Sequence, residues 1–259
     1  MARAFEEQRI PGVGKGGAGV DAIVADTNAL PVTGSDLRTI VMQDAENFLR
    51  QAQNMKETTQ DAGGNPALKH LLAVRHEING AAVGLRNKLH DGPAPAAAYP
   101  NDFGFGRQLD LATRILMAKV PVVTIKVALG GFDTHAGQVP THERLLGVLA
   151  ANLATLRKNL IAAGLWNDVV VATYSEFGRR AKQNASGGTD HGTAAPHFVM
   201  GGGVKGGLYG VYPSLGDLQD GDLRHTIDFR NVYSTLAQGC WGLRRDFGQR
   251  DRQTIAFLA

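Results

Sequence analysis

The chain has 259 residues, 27 Lys and Arg against 24 Asp and Glu, a single Cys and 43% hydrophobic residues. That length buries a sizeable core in one large α/β domain or two small ones, and one Cys excludes both a disulfide scaffold and a Cys-rich zinc module. Glycine, at 33 residues, is nearly double the usual ~7%; without a G-X-Y period this excludes collagen and predicts many tight turns.

Residues 1–34 read as an irregular, Gly-rich lead-in. Gly12, Gly14 and Gly17 satisfy G-x-G-x-x-G, but no strand precedes them, so a flexible loop is expected rather than a dinucleotide site. Ser35 or Asp36 then caps a predicted helix whose apolar face carries Leu37, Ile40, Val41, Phe48, Leu49, Ala52 and Met55. Gly63-Gly64-Asn65 breaks it, and Pro66 opens a second helix through Leu89. GPAPAAAYP, residues 92–100, is a loop. A third helix covers Arg107 to Lys119, with Leu109, Ala112, Ile115 and Leu116 inward, and Pro121 stops it.

The pattern then changes. Val122 to Leu129 is a β-branched run, read as a buried strand. A helix from about Thr141 to Ala163 follows, with Leu145, Leu146, Leu149, Leu153, Leu156 and Leu160 inward and Gly164 past its end. Asp168 to Tyr174 is a second strand. Strand, helical crossover and strand predict a βαβ unit with two parallel strands. Residues 178–195 are expected to be loop, Pro196 to Met200 a short strand, and a closing helix starts near Asp228. No repeat or linker separates two cores. Residues 1–259 are therefore expected to form one domain, a mostly parallel sheet flanked by helices. No run of 18 apolar residues predicts a membrane span, and no basic stripe interleaved with aromatics predicts a nucleic-acid partner. The first 17 residues lack an apolar signal region, so the chain reads as cytoplasmic.

In an open parallel sheet, ligands sit beyond the carboxyl ends of the strands. The first strand leads into Gly130-Gly131-Phe132-Asp133-Thr134-His135 and the second into Ser175-Glu176-Phe177-Gly178-Arg179-Arg180. The loop before the third carries Gly188-Thr189-Asp190-His191-Gly192. Strand tips and loop together would converge Asp133, His135, Glu176, Asp190 and His191. Carboxylates with imidazoles suit Zn²⁺, Mn²⁺ or Fe²⁺, and a bound ion would activate a water or polarise a phosphoryl oxygen. Structural alternatives stand beside this. Asp133 and His135 fit a capped turn. Glu176 fits a salt bridge to Arg179 or Arg180, and Asp190 fits hydrogen bonds to its own loop. His142 is expected to be solvated or capping, His197 to be a core histidine, and His70, His76 and His90 to be on the surface. Cys240 reads as a packed thiol.

GGFDTH, SEFGRR, GTDHG, GGVKGGLYG at 202–210 and DFRNVY at 228–233, in this order, resemble the bacterial family called domain of unknown function 1501. The resemblance runs from about residue 20 to the C-terminus. That family is related to the alkaline phosphatase and sulfatase superfamily. The resemblance implies an alkaline-phosphatase-like α/β fold and a hydrolase of phosphate or sulfate esters acting on a small anionic ester. It implies a divalent metal (Zn, Mn, Mg or Ca) on Asp133, His135 and His191, with Glu176 as a further ligand or general base; the residues themselves add Asp190 as a further metal-ligand candidate. The alternative is a non-catalytic or truncated relative that keeps a partial metal site in a binding or structural role. Phe177 stands where the superfamily places a ligand, and no residue matches its nucleophile: Ser35 and Cys240 are poorly placed. Against the family, the chain reads as the last two-thirds. The missing third would carry a central strand bearing a metal-binding Asp and, in many relatives, a twin-arginine export signal.

Overall fold

The computed structural model describes residues 20–29, 32, 38–44, 47–48, 50, 64–100, 103–243, 247 and 253–258. The architecture is α/β, in two compact units, Met1–Leu129 and Gly130–Ala259.

The first unit holds a parallel three-stranded sheet in the order β2-β1-β3. Its centre is β1 (Ala22–Val24), flanked by β2 (Thr39–Val41) and β3 (Thr124–Lys126), with Ile23 opposite both Ile40 and Ile125. Ile23 is fully buried and packs with Val20, Ala25, Ile40, Met42, Leu85, Leu111 and Ile115. Two ion pairs brace the ends of β1. Before it, buried Asp21 accepts from the Arg38 backbone N–H at 2.8 Å and from its guanidinium at 3.0 Å. After it, Asp26 pairs with the buried Lys126 amine at 2.5 Å. Helices α1 (Pro66–His90) and α2 (Phe105–Met117) supply Leu85, Leu111 and Ile115 to this core. Asn65 caps α1 by accepting from the Ala67 and Leu68 N–H groups, and Pro66 takes the first turn, as its fixed φ favours.

Two expectations fail in this unit. A strand exists within the supposed irregular lead-in, and it is the middle of the sheet. The helix expected from Leu37 to Met55 gives way at Thr39–Val41 to β2; residues 47, 48 and 50 are helical. Tertiary pairing overrides periodicity there, because β-branched Thr39-Ile40-Val41 gains ladder hydrogen bonds and a buried Ile40 beside β1. Gly12, Gly14, Gly17, Ser35, Asp36, Leu37, Leu49, Ala52 and Met55 lie outside the described residues, as do the side chains of His70 and His76. His90 is exposed beside Asp91, as expected.

The second unit begins with α3 (Gln138–Ala162). Leu145, Val148, Leu156 and Leu160 form its buried face, together with Asn152 and Asn159. Leu146, expected inward, is exposed. α3 alone among the described helices is long and apolar enough by length and composition to cross a membrane, with mean hydropathy 1.2. Core helices of soluble folds meet the same description. A 3₁₀ turn at Trp166–Asp168 leads to β4 (Val170–Ala172), then β5 (Gly178–Gln183), β6 (Thr189–Gly192) and β7 (Val199–Gly201). The short strands β8 (Leu218–Gln219) and β9 (Asp222–Leu223) precede α4 (Phe229–Trp241).

The expected parallel βαβ pair does not form. β3 pairs with β1, whereas β4 pairs antiparallel with β7, Val171 opposite Met200. A β-branched run specifies a buried strand but not its partner. Residues 178–195, expected as loop, contain the antiparallel β5–β6 hairpin. Arg179, Arg180, Lys182 and Gln183 give that hairpin no apolar alternation to betray it. His197 and Cys240, expected to be packed, are exposed.

Asp228 caps α4 through the Arg230 N–H and grips the Arg230 side chain at 2.6 Å. The Arg230 hydrogen bond holds its carboxyl down at about 2. A depressed carboxyl stabilises the fold above its ordinary pKa and loses that effect as pH falls through the folded value. Asp228→Ala is therefore expected to cost about 1 kcal/mol at neutral pH, a typical cap loss. Measured by thermal melts, the gap between variant and wild type should close as pH falls from above 3.8 toward about 2.

Candidate metal centre

The segment 132–138 runs beside the β5–β6 turn, so residues far apart in sequence meet. Ala136 bridges Gly187, Gly137 donates its N–H to Ser186 at 3.2 Å, and Gln138 donates to Gly187 at 3.0 Å. Gly188 permits this approach: a Cβ there would lie 2.6 Å from Ala136 N and closer still to the His135 carbonyl. Gly178 and Gly192, facing each other in the hairpin, are crowded by Ala194 and Arg179 backbone respectively. These glycines serve close approach, where tight turning was expected.

Three donors converge here. His191 Nε2 lies 2.7 Å and His135 Nε2 3.0 Å from the same oxygen, Asp133 Oδ1. One ligand atom from each of Asp133, His135 and His191 lies within 4.8 Å of the others, and all three residues are exposed. The two imidazoles tilt by 33° with centroids 5.0 Å apart. Adjacent ligands around an ion held at ~2.0–2.2 Å sit roughly 3 to 3.5 Å apart, so small movements would admit one.

The surroundings fix each donor. Arg179 donates to the Phe132 carbonyl, to the Thr189 carbonyl at 2.7 Å and to Asp133 Oδ1 at 3.4 Å. Phe177 stacks on His191 with centroids 3.9 Å apart and planes 6° from parallel. Buried Thr134, between the two donors in sequence, reaches His142 Nε2 at 2.9 Å, and Phe132 meets the same ring edge-on. His142, expected as a solvated or capping residue, therefore anchors the donor loop. Asn184 donates to the His135 carbonyl at 3.0 Å and to Asp190 Oδ1 at 3.4 Å, while its own Oδ1 accepts from Ser186 and Gly188.

Of the five residues expected together, three form the cluster. Asp190 lies outside it, with Oδ1 3.4 Å from His135 Nδ1, the ring nitrogen not turned to Asp133. Glu176 is exposed on the β4–β5 connection, one residue before Phe177. The Glu176–arginine salt bridge does not form: Arg179 is engaged as above, and Arg180 pairs with Asp222 at 3.3 Å. Nor do two parallel strand tips build the site; a loop and a hairpin do. Sequence reasoning missed Asn184 and His142. A weak sign of Asn184 was an amide residue ahead of a Ser-Gly-Gly turn.

The His191 hydrogen bond lowers the Asp133 carboxyl below its ordinary value, and the nearby charges of His135, His191 and Arg179 act in the same direction. An α/β protein with a solvent-facing Asp-His-His cluster is the class these features define. The family model described as "Protein of unknown function (DUF1501)" matches residues 36–247, and the chain belongs to that family. No curated protein and no solved structure matches the chain.

Two expectations test this geometry. Followed by carboxyl-detected NMR, Asp133 should titrate below 3.8 and return toward it in His191→Ala. Arg179→Lys keeps a charge but loses the planar fork that reaches two carbonyls. It should speed amide exchange across residues 132–136 relative to α3, and unchanged protection there would remove Arg179 as the tie.

Proposed function

We propose that the protein is a metal-dependent hydrolase of phosphate or sulfate esters on an alkaline-phosphatase-like scaffold. The observation that carries the proposal is the convergence of two imidazole nitrogens on one Asp133 oxygen at the solvent surface. Asp133, His135 and His191 would hold the ion. Two imidazoles with one carboxylate favour Zn²⁺, Mn²⁺ or Fe²⁺ over Mg²⁺ and Ca²⁺, which prefer oxygen-rich sites. A divalent ion there supplies a water of lowered pKa and polarises an ester oxygen. Glu176, exposed beside Phe177, would be the general base in this reading. Arg179 is committed to backbone carbonyls and Asp133, so substrate charge falls to the ion rather than to this guanidinium.

A non-catalytic metal-holding or structural role is the second reading. Phe177 favours it, because a ring that cannot ligate occupies the place against His191.

Protein supplemented with Zn²⁺ or Mn²⁺ should hold close to one equivalent by elemental analysis, and His135→Ala or His191→Ala should lose it. Occupancy below roughly 0.2 equivalents would overturn the metal site, since three matched donors bind a divalent ion far more tightly than that. Aryl phosphate and aryl sulfate hydrolysis should appear in the loaded protein. It should fall to background in His135→Ala with an unchanged circular dichroism spectrum, and fall with a changed pH profile in Glu176→Gln. Full occupancy with no hydrolysis of either ester class would count against the hydrolase and favour the metal-holding reading.

A further inference from the structure

His135 lies between two carboxylates. Its Nε2 is 3.0 Å from Asp133 Oδ1, and its Nδ1 is 3.4 Å from Asp190 Oδ1. Only the first of these nitrogens belongs to the convergent cluster. An imidazole that ligates through Nε2 carries its proton on Nδ1, and that N–H needs an acceptor to fix the ring's tautomer and orientation. Asp190 offers one, and it is not left to itself: Asn184 Nδ2 donates to the same Asp190 oxygen at 3.4 Å and to the His135 carbonyl at 3.0 Å. One amide therefore ties the acceptor to the backbone of the residue it serves. β6 delivers Asp190 and His191 as consecutive residues, so one short strand brings both a donor of the cluster and the acceptor for another.

Resting on the metal-centre reading above, we propose that Asp190 is a positioning residue. It accepts the Nδ1–H of His135, sets that ring as an Nε2-directed ligand, and does not itself ligate. Phe177 does the corresponding work for His191 by stacking, so each imidazole is oriented by a different kind of contact.

The test uses the full chain and Zn²⁺ alone. Asp190→Ala should weaken Zn²⁺ binding by about 10- to 100-fold, the usual effect of losing such a partner. Asp190→Asn keeps an acceptor oxygen and should recover most of that loss. In ¹⁵N-labelled, Zn²⁺-loaded wild type, His135 should show a protonated Nδ1 whose hydrogen exchanges slowly. In Asp190→Ala that hydrogen should exchange fast with the metal-free melting temperature little changed. If wild type binds Zn²⁺ and His135→Ala abolishes binding, yet Asp190→Ala binds within twofold of wild type, the positioning role is overturned and the metal centre stands. A loss in Asp190→Asn as complete as in His135→Ala would make Asp190 a ligand and overturn the proposal from the other side. If wild type itself binds no Zn²⁺, the metal-centre reading fails, and this role fails with it.

Discussion

The Arg179 guanidinium donates at once to carbonyls on two segments, Phe132 before the donor loop and Thr189 at the start of β6, while meeting Asp133 Oδ1. Every donor of the cluster stands one to three residues from a backbone group that this side chain holds. Asp133 follows Phe132, His135 lies two residues further on, and His191 is two past Thr189. A planar fork with five N–H groups suits this task, because its separate nitrogens reach the two carbonyls in fixed directions, whereas an ammonium gathers its three donors on one atom. The same positive charge lowers the cost of keeping Asp133 ionised between the two segments. Gly188 then allows the backbones to close to a distance that a side chain would forbid.

Helices were the legible part of the sequence. Pro66 after Asn65, and Asp228 before an apolar run, announced two helix starts that the structure places at Pro66 and Phe229. Helix capping is a local interaction, so local sequence encodes it. Strand pairing was not legible. Thr39-Ile40-Val41 fits the apolar spacing of a helix until Ala22–Val24 lies alongside it. The β5–β6 hairpin is polar along its length, and what holds it is Arg179 and Asn184 bonding backbone groups of the 132–135 loop.

The site was partly legible for a related reason. Asp-x-His and Asp-His are compositional signals, and residue type together with an expected place at strand tips put Asp133, His135, Glu176, Asp190 and His191 in one neighbourhood, although parallel strand tips do not build the site. Their division of labour depends on which ring nitrogen faces which oxygen, and no spacing rule records that. Glu176 drew notice by its place after a strand, yet its carboxylate stays at the surface while the next side chain, Phe177, turns to His191. Thr134 was passed over between two conspicuous neighbours, although its buried hydroxyl ties the loop to α3 through His142.

Asp133 and His191 are 58 positions apart, and between them lie all of α3, β4 and β5. Closing a loop of that length costs roughly 4 kcal/mol of chain entropy, more than one exposed hydrogen bond returns. The intervening elements must meet that cost beforehand by packing. An ion shared by the two residues would then act as a cross-link on an already formed ring. Its occupancy would report on the folding of α3 as sensitively as on the donors themselves, and a cavity made beneath Leu160 would loosen a centre it never touches.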